Sequence, residues 1–124
     1  MNVKCILMKM SKKIGILGGM SPESTVEYYL HITRSYTERF GDYNYPEIVI
    51  YSVSFQPYVD WPADDRWDLV TQGLIEAAGK LEAAGVDCIL IATNTMHLVL
   101  NEVQAGVNVP ILSLLDAVAE ALTK

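Results

Sequence analysis

The sequence predicts one α/β domain, built on a parallel four-stranded sheet with flanking helices. Four short apolar segments alternate with amphipathic ones along the 124 residues. The short segments are apolar on both faces, as the covered strands of a parallel sheet are. Their regular strand–helix order implies right-handed crossovers. The length suits a single domain, which we assign to residues 11–124, with residues 1–10 as an N-terminal extension.

The first strand and the first helix are marked by their boundaries. Residues 14–17 form an apolar strand that Gly18 and Gly19 end. Ser21 and Pro22 then supply a helix cap and a first-turn proline. Apolar or half-polar positions recur every three or four residues and are expected to cover the sheet: Val26, Tyr29, Leu30, Thr33, Tyr36 and Phe40, with Gly41 as the stop.

An irregular segment separates the second strand from the second helix. Residues 48–51 predict the strand, and residues 52–65 contain two prolines and several acids without helical period. This predicts a long functional loop. The second helix ends at Gly85. Its apolar residues recur on one face, and they are Trp67, Val70, Leu74, Ala77, Leu81 and Ala84.

Two more strands complete the predicted sheet. They are assigned to residues 87–92 and residues 109–112. Between them, Asn94 or Thr95 caps a helix whose apolar positions are Met96, Val99, Leu100 and Val103. The spacing of Ser113 and Asp116 is typical of a cap for a last helix that runs to Leu122.

Composition narrows the class of partner. The net charge is −6 and the pI is about 4.7, so the clustered Lys and Arg of a nucleic-acid binder are absent and a small molecule is favoured. Cys5 and Cys88 lie at no spacing typical of a metal site or a disulfide framework, which fits a reducing cytoplasm. No segment approaches membrane-spanning length, so no membrane partner is expected.

Three polar or glycine-rich segments follow strands of the predicted sheet: residues 18–24, 52–66 and 93–97. Ligands of open parallel sheets bind beyond the carboxyl ends of the strands, so these segments predict the site. The first loop matches neither GxGxxG nor a Walker motif, which disfavours a nucleotide. Its backbone amides and helix N-terminus suit one carboxylate, although a plain tight turn explains the glycines equally well. Residues 93–95 are likewise compatible with ordinary helix capping.

These loops resemble the aspartate/glutamate racemase family. Residues 16–25, ILGGMSPEST, are similar to the first loop of that family, and residues 93–97, TNTMH, are similar to its Cys-Asn-Thr-x-His motif. Residues 109–113, VPILS, extend the resemblance, which covers residues 13 to about 123. It implies a flavodoxin-like three-layer lobe, the first of two lobes that face each other across a cleft. The Gly-Cys-Thr motif of the second lobe is not in this sequence.

The resemblance also implies the chemistry. Such racemases use no PLP or other cofactor, because one base removes the α-proton of an amino acid from one face and an acid returns a proton on the other. Two cysteine thiols normally alternate in these roles. Thr93 occupies the position of the first cysteine, as it does in some family members. An aliphatic hydroxyl can relay or donate a proton but is a poor base.

The remaining site assignments follow from the same resemblance. Asn94 and Thr95 would hold the α-carboxylate, while Gly18, Gly19 and Met20 would line the pocket. Arg66 is the candidate cation for a substrate side-chain carboxylate, with pairing to neighbouring acids as the alternative. His97 orients Thr93 or packs in a helix. Cys88 is expected to be a core thiol.

Three functional hypotheses follow. The first is an aspartate or glutamate racemase whose second lobe comes from another chain or has been lost, so that this lobe alone is inactive or nearly so. The second is a non-catalytic module that binds amino acids or carboxylates. The third is a self-associating remnant. Because a lobe without its partner exposes apolar surface, we expect a homodimer.

Overall fold

The computed structural model describes residues 13–93 and 95–112, and within them four strands form one parallel sheet. The strands are β1 (Ile14–Gly18), β2 (Ile48–Ser52), β3 (Cys88–Ile91) and β4 (Ile111–Leu112). Their spatial order is β2-β1-β3-β4, which places β1 in the middle and β2 at one edge. The predicted parallel four-stranded sheet is therefore confirmed, with β3 and β4 shorter than the apolar segments that predicted them.

Both faces of the sheet are covered, and the side chains of β1 point alternately to the two sides. Ile14 and Ile16 pack in one cluster with Ile32 of the first helix. Leu17 belongs to the other cluster, together with Leu74 and Val103 of later helices. All five residues of β1 are buried. A three-layer α/β arrangement results, as the sequence predicted.

Helix α1 (Pro22–Phe40) begins and ends where the sequence indicates, but it buries a different face. Thr25, Ile32 and Thr33 are its buried residues. Val26 is 57% exposed and Phe40 is 42% exposed, so the predicted sheet-facing stripe is wrong at these positions. The helix turns Thr25 toward the sheet instead, and the Thr25 side chain contacts the backbone of Gly18 too closely for any side chain there.

Helix α2 (Gln56–Ala63) occupies most of the segment that was expected to be a loop, so that prediction is wrong. Pro57 lies in the first turn, where a backbone N–H has no intrahelical partner to lose. Pro62 lies in the last turn, where it removes only one hydrogen bond. Tyr58 is 7% exposed and meets Trp61 edge to face at 5.1 Å between ring centroids. Burial of these rings stabilises a helix that has little periodic signal.

Helix α3 (Trp67–Ala83) follows the predicted pattern closely. Four of the predicted apolar positions, Val70, Leu74, Ala77 and Leu81, are buried in it. Its polypeptide reverses at Gly85, whose φ of 84° lies in the left-handed region that favours glycine. This helix therefore forms one face of the domain and begins at the carboxyl edge of the sheet.

The segment after β3 is less regular than predicted. A 3-10 helix spans Thr95–Val99, and α4 (Leu100–Ala105) continues from it. Met96, Val99 and Val103 are buried, as their spacing indicated. The N-terminal extension and the last predicted helix lie outside the described residues. Among the helices of the described segments, none is long and apolar enough to cross a membrane.

Candidate functional site

A cleft with a volume of about 580 Å³ opens at the carboxyl edge of the sheet. All three segments that the sequence placed at this edge contribute side chains to it. The lining residues are Met20, Ser21, Ser24 and Tyr28 from the first loop and α1, Phe55, Tyr58, Val59 and Pro62 from the α2 region, Trp67 from α3, and Thr93 and Met96 after β3. The cleft is therefore the candidate site.

Gly19 shapes the loop between β1 and α1. Its φ of 101° is a conformation that other residues rarely adopt. A Cβ atom there would also collide with the Val53 carbonyl oxygen and would lie 2.9 Å from the Ser52 Oγ. The Val53 amide in turn donates to the Gly18 carbonyl at 2.9 Å. The loop is thus packed directly against the end of β2.

The Gly19 amide is used inside the protein. It donates a hydrogen bond of 2.9 Å to the buried hydroxyl of Thr25, which donates to the Ser21 carbonyl at 3.2 Å. Neither Gly18 nor Gly19 lines the cleft. The two glycines hold the turn that carries Met20 and Ser21 to the cleft, and the sequence reasoning missed Thr25. The sequence does contain a pattern that could have indicated this role, because Thr25 lies four residues after the cap residue Ser21 and its hydroxyl can reach the Ser21 carbonyl.

The start of α1 presents hydroxyl groups to the cleft. The Oγ atoms of Ser21 and Ser24 lie 3.2 Å apart, and both residues line the cleft. Ser21 is in the N-cap position but makes no side-chain cap hydrogen bond. The first amides of a helix lack intrahelical partners and carry the positive end of its dipole. This end of α1 therefore suits a carboxylate, a role that the sequence reasoning did not assign to Ser24.

Thr93 lies two residues after the end of β3 and lines the cleft in a half-buried position. The amide of the preceding Ala92 donates to the Leu17 carbonyl at 2.9 Å, and this hydrogen bond holds the segment after β3 against β1. Asn94 and the side chains of Thr95 and His97 lie outside the described residues. Of the predicted polar motif, the structure thus places Thr93 beside the first loop.

Arg66 lies apart from the cleft lining. Its Nε and Nη2 atoms donate to the two carboxylate oxygens of Asp68 at 3.0 and 2.9 Å, and its side chain is 54% exposed. These hydrogen bonds hold the pKa of Asp68 below its usual value. The structure therefore shows Arg66 paired with a nearby acid, as the alternative proposed, but the partner is Asp68 and not Asp64 or Asp65.

Two tyrosines of the cleft are held in the neutral form. Burial raises the pKa of Tyr58 above its usual value, and the charge of Glu76 adds to the effect. Burial also raises the pKa of Tyr28, with Glu27 contributing. Near neutral pH both phenols can donate hydrogen bonds and neither can serve as a base. The sequence did not reveal the aromatic wall formed by α2, because the prolines of that segment indicated a loop.

The described residues contain no cluster of side chains that could form a metal site. Within residues 13–93 and 95–112, no three His, Cys, Asp or Glu side chains are placed to hold a metal ion together. Cys88 is buried in the sheet, as its position in a strand predicted. The chemistry that the described cleft offers is that of hydroxyl groups, a helix N-terminus and an apolar wall.

Comparison with known proteins relates this chain to amino-acid racemases. The family model Asp/Glu/Hydantoin racemase matches residues 17–124. The broad specificity amino-acid racemase RacX of Bacillus subtilis is 36% identical over 106 residues, which cover 83% of this chain and 46% of that protein.

Solved structures show the same relationship. An aspartate racemase homologue from Pyrococcus horikoshii superposes with a TM-score of 0.79 at 46% identity, over 90% of this chain and 49% of the other. A candidate Asp/Glu racemase from Yersinia pestis gives a TM-score of 0.80 at 36% identity over the same shares. The chain spans about half the length of these relatives. On the family match and the shared fold, the chain belongs to the Asp/Glu/hydantoin racemase family.

Proposed function

We propose that this chain is the first lobe of a cofactor-independent amino-acid racemase and that its cleft binds the substrate. The observation that carries the proposal is the meeting of Thr93 with Ser21 and Ser24 in one cleft at the carboxyl edge of the sheet. Family membership and the racemase name of the Bacillus subtilis relative support the reaction type.

The start of α1 is the proposed site of the substrate α-carboxylate. The Ser21 and Ser24 hydroxyls and the partnerless first-turn amides of α1 supply donors there. Asn94 and Thr95 remain the proposed further contacts from the motif. Gly18 and Gly19 act by shaping the turn, because the Gly19 amide is already hydrogen-bonded to Thr25.

Thr93 is the proposed proton-transfer residue on one face of the α-carbon. Its hydroxyl is too weak an acid to ionise near neutral pH, so it would relay or donate a proton rather than act as an unaided base. Inversion needs a second group on the opposite face, which the family resemblance assigns to a second lobe. We therefore propose that this chain alone binds amino acids without inverting them.

Deuterium exchange tests this function. The chain is incubated in D₂O with single enantiomers of several amino acids, alone and mixed with the C-terminal half of the Pyrococcus horikoshii homologue, and the α-hydrogen is followed by NMR. We expect saturable binding by the chain alone and exchange with inversion in the mixture. Thr93→Val, which keeps the shape and removes the hydroxyl, is the matched control and should abolish exchange but not binding. Absence of both binding and exchange would contradict the proposal.

A second candidate function, self-association without turnover, is favoured by apolar surface outside the cleft. Val26 and Phe40 of α1 and Ile50 of the edge strand β2 are 57%, 42% and 42% exposed. Covering such residues is a common reason for dimer formation. We propose a homodimer and a cytoplasmic location, and light scattering tests the former: a monodisperse monomer across micromolar concentrations would contradict it.

A further inference from the structure

We propose that the cleft selects amino acids with neutral, apolar side chains over aspartate and glutamate. This inference rests on the proposed function, because it concerns the side chain of a substrate whose head group lies near Thr93. It departs from the dicarboxylate preference that the sequence resemblance implied. Its basis is the chemistry of the cleft wall and the position of every cation in the described segments.

The wall of the cleft is apolar and aromatic. Phe55, Val59 and Pro62 come from the α2 region, Trp67 begins α3, and Met20 and Met96 complete the apolar part. Among the residues that the structure describes, the polar lining residues are hydroxyl-bearing, and none is Asp, Glu, Lys, Arg or His. Such a wall gains free energy when it removes an apolar side chain from water.

Within residues 13–93 and 95–112, no described side chain offers a cationic partner to a substrate side-chain carboxylate in this cleft. Arg66 is the described cation closest in sequence to the lining residues, but it is not among them, and its Nε and Nη2 atoms donate to the Asp68 carboxylate. Three carboxylates, Asp60, Asp64 and Asp65, are exposed on or just after α2. They disfavour the approach of another negative charge.

The other described cations lie toward the opposite edge of the sheet. Lys13 precedes β1 and lies 3.8 Å from Glu47. Arg34 and Arg39 follow the start of α1 by at least three helical turns, and Lys80 is in the last turn of α3. At a rise of about 1.5 Å per residue, Arg34 is roughly 18 Å from the start of α1. None of these side chains reaches the cleft.

The apolar wall is also held in place. Tyr58 anchors α2 against α3, because its hydroxyl and the Trp61 ring pack directly over Gly73. With α2 fixed in this way, Phe55 and Val59 cannot withdraw to admit a hydrated carboxylate without breaking this contact. Burial of a carboxylate without a partner is strongly unfavourable, whereas a neutral chain meets no such penalty.

Competitive binding to the full chain tests the selection. Saturation-transfer NMR would rank alanine, leucine, methionine, aspartate, glutamate and lysine. We expect leucine and methionine to bind at least about tenfold more tightly than aspartate or glutamate, and more tightly than alanine, since pocket contacts discriminate by about this factor per methylene or more. Trp67 lies in the wall, so its fluorescence should change with leucine.

A charge introduced into the wall should reverse the ranking. Val59 lines the cleft and is 48% exposed, so Val59→Lys places an ammonium at its opening. We expect aspartate to bind about tenfold more tightly to this variant than to the parent protein, and leucine to bind less tightly. Val59→Met controls for side-chain length. Val26→Lys, at a 57% exposed position outside the lining, controls for net charge and should leave the ranking unchanged.

The outcomes separate this inference from the proposed function. Binding of aspartate or glutamate as tight as that of leucine overturns the selection and leaves the head-group site intact. Preference for lysine over leucine also overturns it, because the acids beside α2 would then dominate. If no amino acid binds, alanine included, the proposed function fails and the selection fails with it. Apolar preference together with the Val59→Lys reversal supports the selection.

Discussion

The hydroxyl of Tyr58 packs so closely on Gly73 that a Cβ atom at Gly73 would lie 2.5 Å from it. This contact joins α2 to α3 and fixes the wall of the cleft. A glycine inside α3 costs helix stability relative to alanine, by about 1 kcal/mol. The close approach of Tyr58 explains why that cost is tolerated at this position.

Replacing Gly73 should therefore destabilise the protein despite the better helix propensity of alanine. Gly73→Ala forces the buried Tyr58 and the Trp61 ring to shift, and overpacking of this kind costs about 1–3 kcal/mol. Gly79 is the matched control, since it lies in the same helix and a Cβ atom there would have nothing within 4 Å. Gly79→Ala should stabilise by about 0.5–1 kcal/mol. Urea unfolding measures both, and equal shifts would contradict the packing argument.

Gly19 should tolerate substitution less well than Gly41, another glycine with positive φ. Gly19→Ala incurs left-handed strain of about 1–2 kcal/mol and also a collision with the Val53 backbone. Gly41 has φ of 71° and nothing within 4 Å, so Gly41→Ala incurs the strain alone. We expect Gly19→Ala to lose clearly more free energy of unfolding than Gly41→Ala. Similar losses would show that the loop relaxes away from β2.

How much of the fold the sequence predicted depended on the length and period of each element. β1, β3 and α3 were predictable because apolar runs and a regular helical stripe are strong signals, as Val70 and Leu74 illustrate. α2 was not, because eight residues with two prolines carry little period and its stability depends on burial of Tyr58. Tertiary contacts that no local pattern encodes decided that element.

The same distinction applies to α1 and to the cleft. The sheet-facing side of α1 was predicted from the hydrophobicity of its residues. In the structure the helix packs so closely on Gly18 that the small Thr25 faces the sheet there. Strand ends and the glycine loop were enough to place Thr93 and Met20 at the edge. The aromatic wall depended on recognising α2, and the pairing of Arg66 with Asp68 depended on side-chain geometry.

Removal of the Thr25 hydroxyl should weaken both the fold and ligand binding. Thr25→Val leaves the buried Gly19 amide without its acceptor, which costs about 1–3 kcal/mol. The Ser21 carbonyl also loses its hydrogen bond from the Thr25 hydroxyl and keeps only the one from the Thr25 amide. Thr25→Ser keeps both bonds and should retain most of the stability.

Thr33 provides a second control in the same helix. Its hydroxyl donates only to helix carbonyls, at 3.1 Å to Tyr29 and 3.2 Å to Leu30, so Thr33→Val should cost much less than Thr25→Val. Thermal unfolding compares the variants, and NMR titration with leucine measures the loss of binding. An unchanged affinity in a folded Thr25→Val variant would show that the turn does not position the start of α1.

Stability at high pH should depend on Tyr58. Its pKa is raised from 10.0 by burial, so the fold favours the neutral phenol. The stabilising contribution is complete below the unfolded-state pKa of about 10 and is lost as the pH rises toward the higher folded-state value. We expect the free energy of unfolding to fall more steeply above about pH 10 in the parent protein than in Tyr58→Phe. Tyr43, 81% exposed, is the control, and Tyr43→Phe should keep the parent slope.

A thiol at position 93 should act as a better base than the native hydroxyl. A cysteine has an ordinary pKa of about 8.5, so a few per cent is thiolate near neutral pH, whereas a threonine hydroxyl has essentially no ionised form. In the mixture with a second lobe, Thr93→Cys should raise the α-hydrogen exchange rate by at least about tenfold. The rate should also increase from about pH 7 to 9 as the thiolate forms. Thr93→Ser, which keeps a hydroxyl, should show neither effect, and a Thr93→Cys variant that binds leucine but exchanges no faster would place proton transfer at another residue.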